Sequence, residues 1–194
     1  MPLLDRSDSV LIVVDTQPDF YPPDRTVDRA QFALIQARVA WLAGVAKALG
    51  VPAVVTEEDP AANGATVPAV LERLPPGTPV LVKPVFGLAD CDEILTAVAT
   101  LGRGTAVLAG LETDVCVSHS AIGLLGRGYR VAVASDATFA PGEMHEHGLR
   151  RMAALGVEII HAKGIYYEWI RTLEAARRFE AEHPELAKPP GFSL

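Results

Sequence analysis

The chain is short of cysteine, lysine, histidine and net positive charge, and each shortage removes a class of function. Two cysteines in 194 residues, Cys91 and Cys116, do not make a disulfide framework. Seventeen basic residues against 24 acidic ones leave a net charge of −7. With no Lys/Arg run to offset that charge, a phosphate backbone is a poor partner, and no nucleic-acid binding is expected. No apolar run approaches the ~20 residues that span a bilayer, so no membrane association is expected. The opening MPLLDRSDSVLIVVD meets Asp5 before any long apolar stretch, which does not fit a secretory signal, and the expected location is cytoplasmic. The first glycine is Gly44, so the glycine-rich loop that binds dinucleotides after a first strand is missing.

What is present reads as an ordinary globular chain, 49% apolar and 21% charged. There is no internal repeat and no linker long enough to divide it. Residues 1–194 are therefore expected to form a single domain, with 183–194 an extended C-terminal arm. Short apolar runs alternate with longer helical patterns, the signature of an α/β fold with a parallel sheet covered on both faces. Strands are predicted at 9–14, 52–56, 79–83, 105–109, 130–134 and 157–161. Helices are predicted at 31–49, 91–100, 114–125, 143–154 and 169–182. In the first helix Phe32, Ile35, Val39, Leu42, Val45 and Leu49 keep helical spacing, and Gly50 ends it.

Ligands of open parallel sheets sit beyond the carboxyl ends of the strands, so the polar residues just past each strand carry the functional signal. Asp15 follows SVLIVV, where a turn or capping aspartate is the plain alternative. Lys83 follows PVLV; the chain uses 13 Arg against four Lys, which favours a lysine chosen for its compact ammonium over a solvated one. In AGLETDVC, Thr113 is placed to cap a helix and Cys116 falls in its first turn, where a thiol pKa tends to fall below its usual ~8.5. An inert buried thiol is the alternative for Cys116, and is the reading adopted for Cys91 between its acidic neighbours. The ends of the first, third and fourth strands thus offer a carboxylate, an ammonium and a thiol to one side of one sheet.

In order along the chain, VVDTQPDF, LVKPVF, AGLETDVCV and VASDAT resemble the isochorismatase-like cysteine hydrolases, over roughly residues 9–160. The resemblance implies a three-layer α/β/α sandwich with a six-stranded parallel sheet of Rossmann-like topology, and a homo-oligomer, dimer or larger. It implies a catalytic Asp15, Lys83 and Cys116, a cis peptide between Leu111 and Glu112, and an oxyanion hole from the backbone N–H groups of Glu112 and Cys116. The chemistry that follows is thiolate attack on a carbonyl, with proton exchange through Asp15 and a thioester on Cys116. The expected substrate is a small amide, ureido or carbamoyl compound. Vinyl-ether hydrolysis through Asp15, a non-catalytic binding or scaffold role, and a redox thiol are the alternatives.

Where nicotinamidases of that family carry an Asp-x-His metal pair, this chain reads VVTEEDPAANGATVP, and its first histidine is His119. No catalytic metal or other cofactor is expected, and Glu57, Glu58 and Asp59 read as a solvated loop. Phe20, Phe86 and Glu112 are candidates to line the substrate pocket. His119 lies one helical turn after Cys116, and a packing role is favoured for it. His145 and His147 are two apart, on different helix faces, and do not share an ion. The stretch GIYYEWIRTLEAARRF either closes the domain's own core or meets a second subunit.

Overall fold

The computed structural model describes residues 2–22 and 24–194. Six strands, β1 (Ser9–Val14), β2 (Ala53–Glu57), β3 (Val80–Val82), β4 (Thr105–Leu111), β5 (Arg130–Phe139) and β6 (Glu158–Ile160), pair all-parallel in the order β3-β2-β1-β4-β5-β6. The order reverses between β1 and β4. Among the described residues eight α-helices accompany them: α1 (Arg29–Leu49), the single turns α2 (Pro60–Asn63) and α3 (Pro68–Leu71), α4 (Asp92–Thr100), α5 (Ser118–Leu125), α6 (Met144–Ala154), α7 (Ala162–Ile170) and α8 (Leu173–Glu182).

The central strands are apolar at nearly every position because both of their faces are covered. In β1, Leu11 and Val13 join the core formed with α1, α7 and α8, whereas Val10, Ile12 and Val14 join the core formed with α4, α5 and α6. The period-2 alternation of a strand sorts these neighbours to opposite layers. Helix α1 begins where Asp28 accepts from the Gln31 N–H and ends at the left-handed Gly50. By length and composition it passes for a membrane span, contrary to the sequence expectation, but Phe32, Ile35, Val39 and Leu42 are buried on the sheet.

Two elements depart from the sequence reading. Strand β5 runs ten residues instead of five: a register shift lets it pair with β4 again at Gly110 and Leu111, so the strand continues through Phe139. The helix predicted at 169–182 begins later, as α8, and a helix that was not predicted, α7, precedes it; they are divided because Arg171 takes a φ of 70° and Thr172 then caps α8 by accepting from the Ala175 N–H. Tyr166, Trp169, Ile170 and Phe179 of this stretch are buried in the chain's own core, while Leu173 is exposed. Residues 183–194 lie across α1, where Trp41 donates to the Leu186 carbonyl and Arg38 to that of Pro190.

The switch point is tightly built. Gly110 has a φ of 123°, and a Cβ there would stand 1.9 Å from the Val14 carbonyl oxygen. Only glycine lets β1 and β4 approach so closely just before each delivers a polar residue.

Candidate active site

Three strand ends meet at this switch point. Asp15, at a φ of 45°, continues the ladder by donating its N–H to the Thr56 carbonyl, and its Oδ1 accepts from Thr56 Oγ1 at 2.7 Å. Lys83 extends β3 by donating its N–H to Glu57 O. Since β3 and β1 are not neighbours, about 10 Å of sheet separates them. A long side chain is needed to cross β2, and the Lys83 ammonium reaches Asp15 Oδ2 at 3.1 Å. It also donates to Val85 O at 2.6 Å and lies 3.6 Å from Cys116 Sγ. The Asp15 and Lys83 side chains are fully buried.

Beyond β4 the Leu111–Glu112 peptide is cis, and Thr113–Val117 form one π-helical turn that leads into α5. Cys116 therefore sits in a π turn ahead of the α-helix, not in its first turn. Thr113 is not a side-chain cap either. Its hydroxyl is engaged with Thr138 Oγ1 at 3.0 Å and His145 Nδ1 at 2.9 Å. Helix α6 rests on this turn through Gly148, where a Cβ would come within 2.8 Å of Asp114 Cα.

The Cys116 thiol is held well above its ordinary pKa, the reverse of what its place near a helix start implied. Burial is the largest cause, followed by the Asp15 carboxylate and the hydrogen bond donated to Glu58; Lys83 opposes them. Asp15 is likewise raised, because burial outweighs the pull of Lys83 and its hydrogen bonds. The resting state these shifts describe is a neutral thiol beside an ammonium and two carboxyl groups.

The second of those carboxyl groups belongs to Glu58, which is not part of a solvated loop as the sequence suggests. Glu58 Oε2 accepts from Cys116 Sγ at 3.0 Å and lies 3.7 Å from Lys83 Nζ. Glu57 is buried and accepts the Thr66 N–H; of the three acids only Asp59 is exposed. Gln17, itself fully buried, explains the order: its amide accepts the Glu58 N–H at 2.9 Å and donates to the Glu58 carbonyl at 3.0 Å. The signal in the sequence was positional, since Glu58 stands just past β2 as Asp15, Lys83 and Cys116 follow their strands.

A cavity of about 520 Å³ opens over the thiol, lined by Phe20, Arg25, Glu58, Phe86 and Glu112 among others. Phe86 is exposed. The Glu112 carboxyl accepts from Tyr21 OH at 2.7 Å, and burial raises its pKa. His119 packs edge-on against the Phe86 ring. His147 sits apart from His145, beside Glu143 and Arg150. Asp15, Glu58 and Cys116 each offer one donor atom within 4.8 Å of the others, a spacing that suits a metal ion. The Lys83 ammonium is within 3.7 Å of all three donors and supplies the positive charge there.

The isochorismatase-domain family model matches residues 9–163, which spans every residue of this site. The chain belongs to the isochorismatase family. Among relatives, the probable hydrolase YcaC of Escherichia coli is 25% identical over 93% of this chain and 88% of its own, and its structure, an octameric hydrolase of unknown specificity, superposes with a TM-score of 0.81. YcaC from Pseudomonas aeruginosa, solved with hexane-2,5-diol and covalent acrylamide, is 24% identical with a TM-score of 0.82, covering 95% of this chain and 94% of that one. The MAR1 ribonuclease of Caenorhabditis elegans shares the fold at 24% identity and a TM-score of 0.83, over 99% and 97% of the two chains. The isochorismatase fold is thus common to proteins with different names and activities.

Proposed function

We propose that the protein is a cysteine hydrolase that cleaves a C–N bond of a small amide, ureido or carbamoyl compound through a thioester on Cys116. The observation that carries the reading is the placement of the Cys116 sulfur at the floor of a cavity, 3.6 Å from the Lys83 ammonium that is itself paired with Asp15. Asp15, made a stronger base by burial, takes the thiol proton as sulfur attacks the carbonyl, and Lys83 offsets the charge that develops. Backbone N–H groups of Glu112 and Cys116 face the oxyanion, where one donor is typically worth about 3–4 kcal/mol. Asp15 then protonates the departing nitrogen, and water releases the thioester.

The covalent acrylamide in the Pseudomonas aeruginosa relative is in keeping with a nucleophile in that protein that bonds a small electrophile. The carboxylates of Asp19, Glu58 and Glu112 around the cavity, against Arg25 as its cation, favour a small uncharged or cationic compound over an RNA. Vinyl-ether hydrolysis needs no sulfur and would leave the Lys83–Cys116–Glu58 cluster without a task. Exposed Val80 and Val82 on edge strand β3, with exposed Phe86 in the loop beyond it, suit a subunit contact, in keeping with the octamer of E. coli YcaC, and light scattering tests for a homo-oligomer. The decisive experiment is Cys116→Ala and Cys116→Ser against a panel of amides and ureido compounds. Both variants should melt like the wild type, lose turnover, and fail to show the acyl adduct seen on Cys116 by mass spectrometry. Turnover retained by either one refutes the nucleophile.

A further inference from the structure

The Asp15, Lys83 and Cys116 chemistry leaves one group at the sulfur unused. Glu58 Oε2 accepts the thiol hydrogen bond at 3.0 Å and lies 3.7 Å from Lys83 Nζ, yet its side chain is 27% exposed where those of Asp15 and Lys83 are 0%. It lines the cavity over Cys116 and also the neighbouring cavity, of about 510 Å³, walled by Val82, Pro84 and Val85. Its position is not that of a free surface acid. Gln17 grips both its N–H and its carbonyl, and Asn63 Nδ2 donates to the same carbonyl at 2.8 Å.

We propose that Glu58 is the general base of the second half-reaction, taking the proton from the water that hydrolyses the thioester on Cys116. This rests on the cysteine-hydrolase reading above. Once sulfur is acylated its proton is gone, and the Glu58 oxygen that held it is freed at the place where water must arrive. Asp15, held by Lys83 and Thr56, is fully buried and reaches only what is bound at the sulfur, not the side of the cavity from which water comes. Water enters beside Glu58, its O–H bond breaks toward Oε2, and its oxygen bonds to the thioester carbon. The tetrahedral intermediate collapses with cleavage of the C–S bond, the acid leaves, and sulfur recovers the proton from Glu58. The cycle closes on the hydrogen bond seen in the structure, Cys116 Sγ donating to Glu58.

The test uses p-nitrophenyl acetate, which acylates thiols and whose leaving group needs no acid. Nitrophenolate release reports acylation, and intact mass reports the lifetime of the acetyl adduct on Cys116. Glu58→Gln should acylate within a few-fold of wild type and hold the adduct about 10²-fold longer, the usual scale of a lost general base. Glu58→Asp should recover part of that loss. Hydroxylamine, which needs no base, should clear the adduct equally fast from both proteins, showing that the ester bond itself is unprotected. Asp15→Asn should slow acylation and leave the adduct lifetime unchanged. The proposal falls if Glu58→Gln deacylates within threefold of wild type, or if Asp15→Asn is the variant that prolongs the adduct. An adduct that maps elsewhere than Cys116, or none at all, sinks the cysteine reading and this proposal with it.

Discussion

Lys83→Met tests the electrostatic design of the site without changing its volume greatly. The substitution removes the charge partner of Asp15 Oδ2, 3.1 Å away and fully buried, and strips the Val85 carbonyl of its donor. Breaking a buried pair from one side costs about 3–5 kcal/mol. For a chain of 194 residues that is a fall in Tm of roughly 6–20 °C, at about 2–4 °C per kcal/mol. The loss should depend on pH, and its sign follows from Asp15. Its pKa is already raised by burial, so the stability it contributes is present at low pH and lost as pH rises through that pKa. Lys83 lowers that pKa, so the methionine variant raises it further and loses more stability on the way up. Calorimetry of both proteins from about pH 4 to pH 8 should show the Tm gap narrow at the acid end and widen steadily. A gap independent of pH, or one that closes toward pH 8, would show that Asp15 does not carry an unpaired charge in the variant and would refute the buried ion pair.

Further substitutions probe the surroundings of the sulfur. Gly148→Ala forces a methyl group to 2.8 Å from Asp114 Cα, and overpacking of this kind costs about 1–3 kcal/mol. A Tm lowered by roughly 2–12 °C with slower alkylation of Cys116 is expected, and an unchanged rate would separate α6 from the thiol's geometry. Tyr21→Phe removes a hydrogen bond that holds down the raised pKa of Glu112. The pH at which Glu112 takes its proton should therefore move up, visible as an upward shift in the pH dependence of KM with kcat little changed.

Much of the fold was legible because each layer imposes a period the sequence repeats. β1 reads SVLIVV because both of its faces are covered, and α1 shows its helical stripe and stops at a glycine that takes the left-handed conformation. The break at Arg171 was not legible, since the apolar pattern runs through it and only a positive φ divides α7 from α8. At the site, Asp15, Lys83 and Cys116 could be found one strand at a time, as each follows its own apolar run. Glu58 could not be separated from Glu57 and Asp59 by composition. Its burial depends on Gln17, 41 residues earlier, and on β1 and β2 being neighbours. The direction of the Cys116 shift was misread for a related reason. Local position predicts a lowered pKa, whereas the dominant effects come from residues on other strands and from burial.

The inverted shift also changes how reactivity must be organised. A thiolate at rest in this cluster would set three anions, on Asp15, Glu58 and Cys116, against the single ammonium of Lys83, within a few ångströms and largely out of water. Desolvated like charges at that spacing repel strongly, so the thiol keeps its proton at rest, and in the proposed mechanism it yields that proton only as a substrate accepts the developing charge. Two carboxylates then have distinct uses because their exposures differ. The sealed one can exchange a proton only with the sulfur and the group leaving it, whereas the one open to the cavity can reach water. In the proposed mechanism the thiol yields its proton to Asp15 only as the sulfur attacks, so the sulfur becomes a nucleophile only when a carbonyl is in place. Such a thiol is shielded from adventitious electrophiles in the absence of substrate, and its rate of alkylation by iodoacetamide should be far below that of a solvated cysteine at the same thiolate-favouring pH.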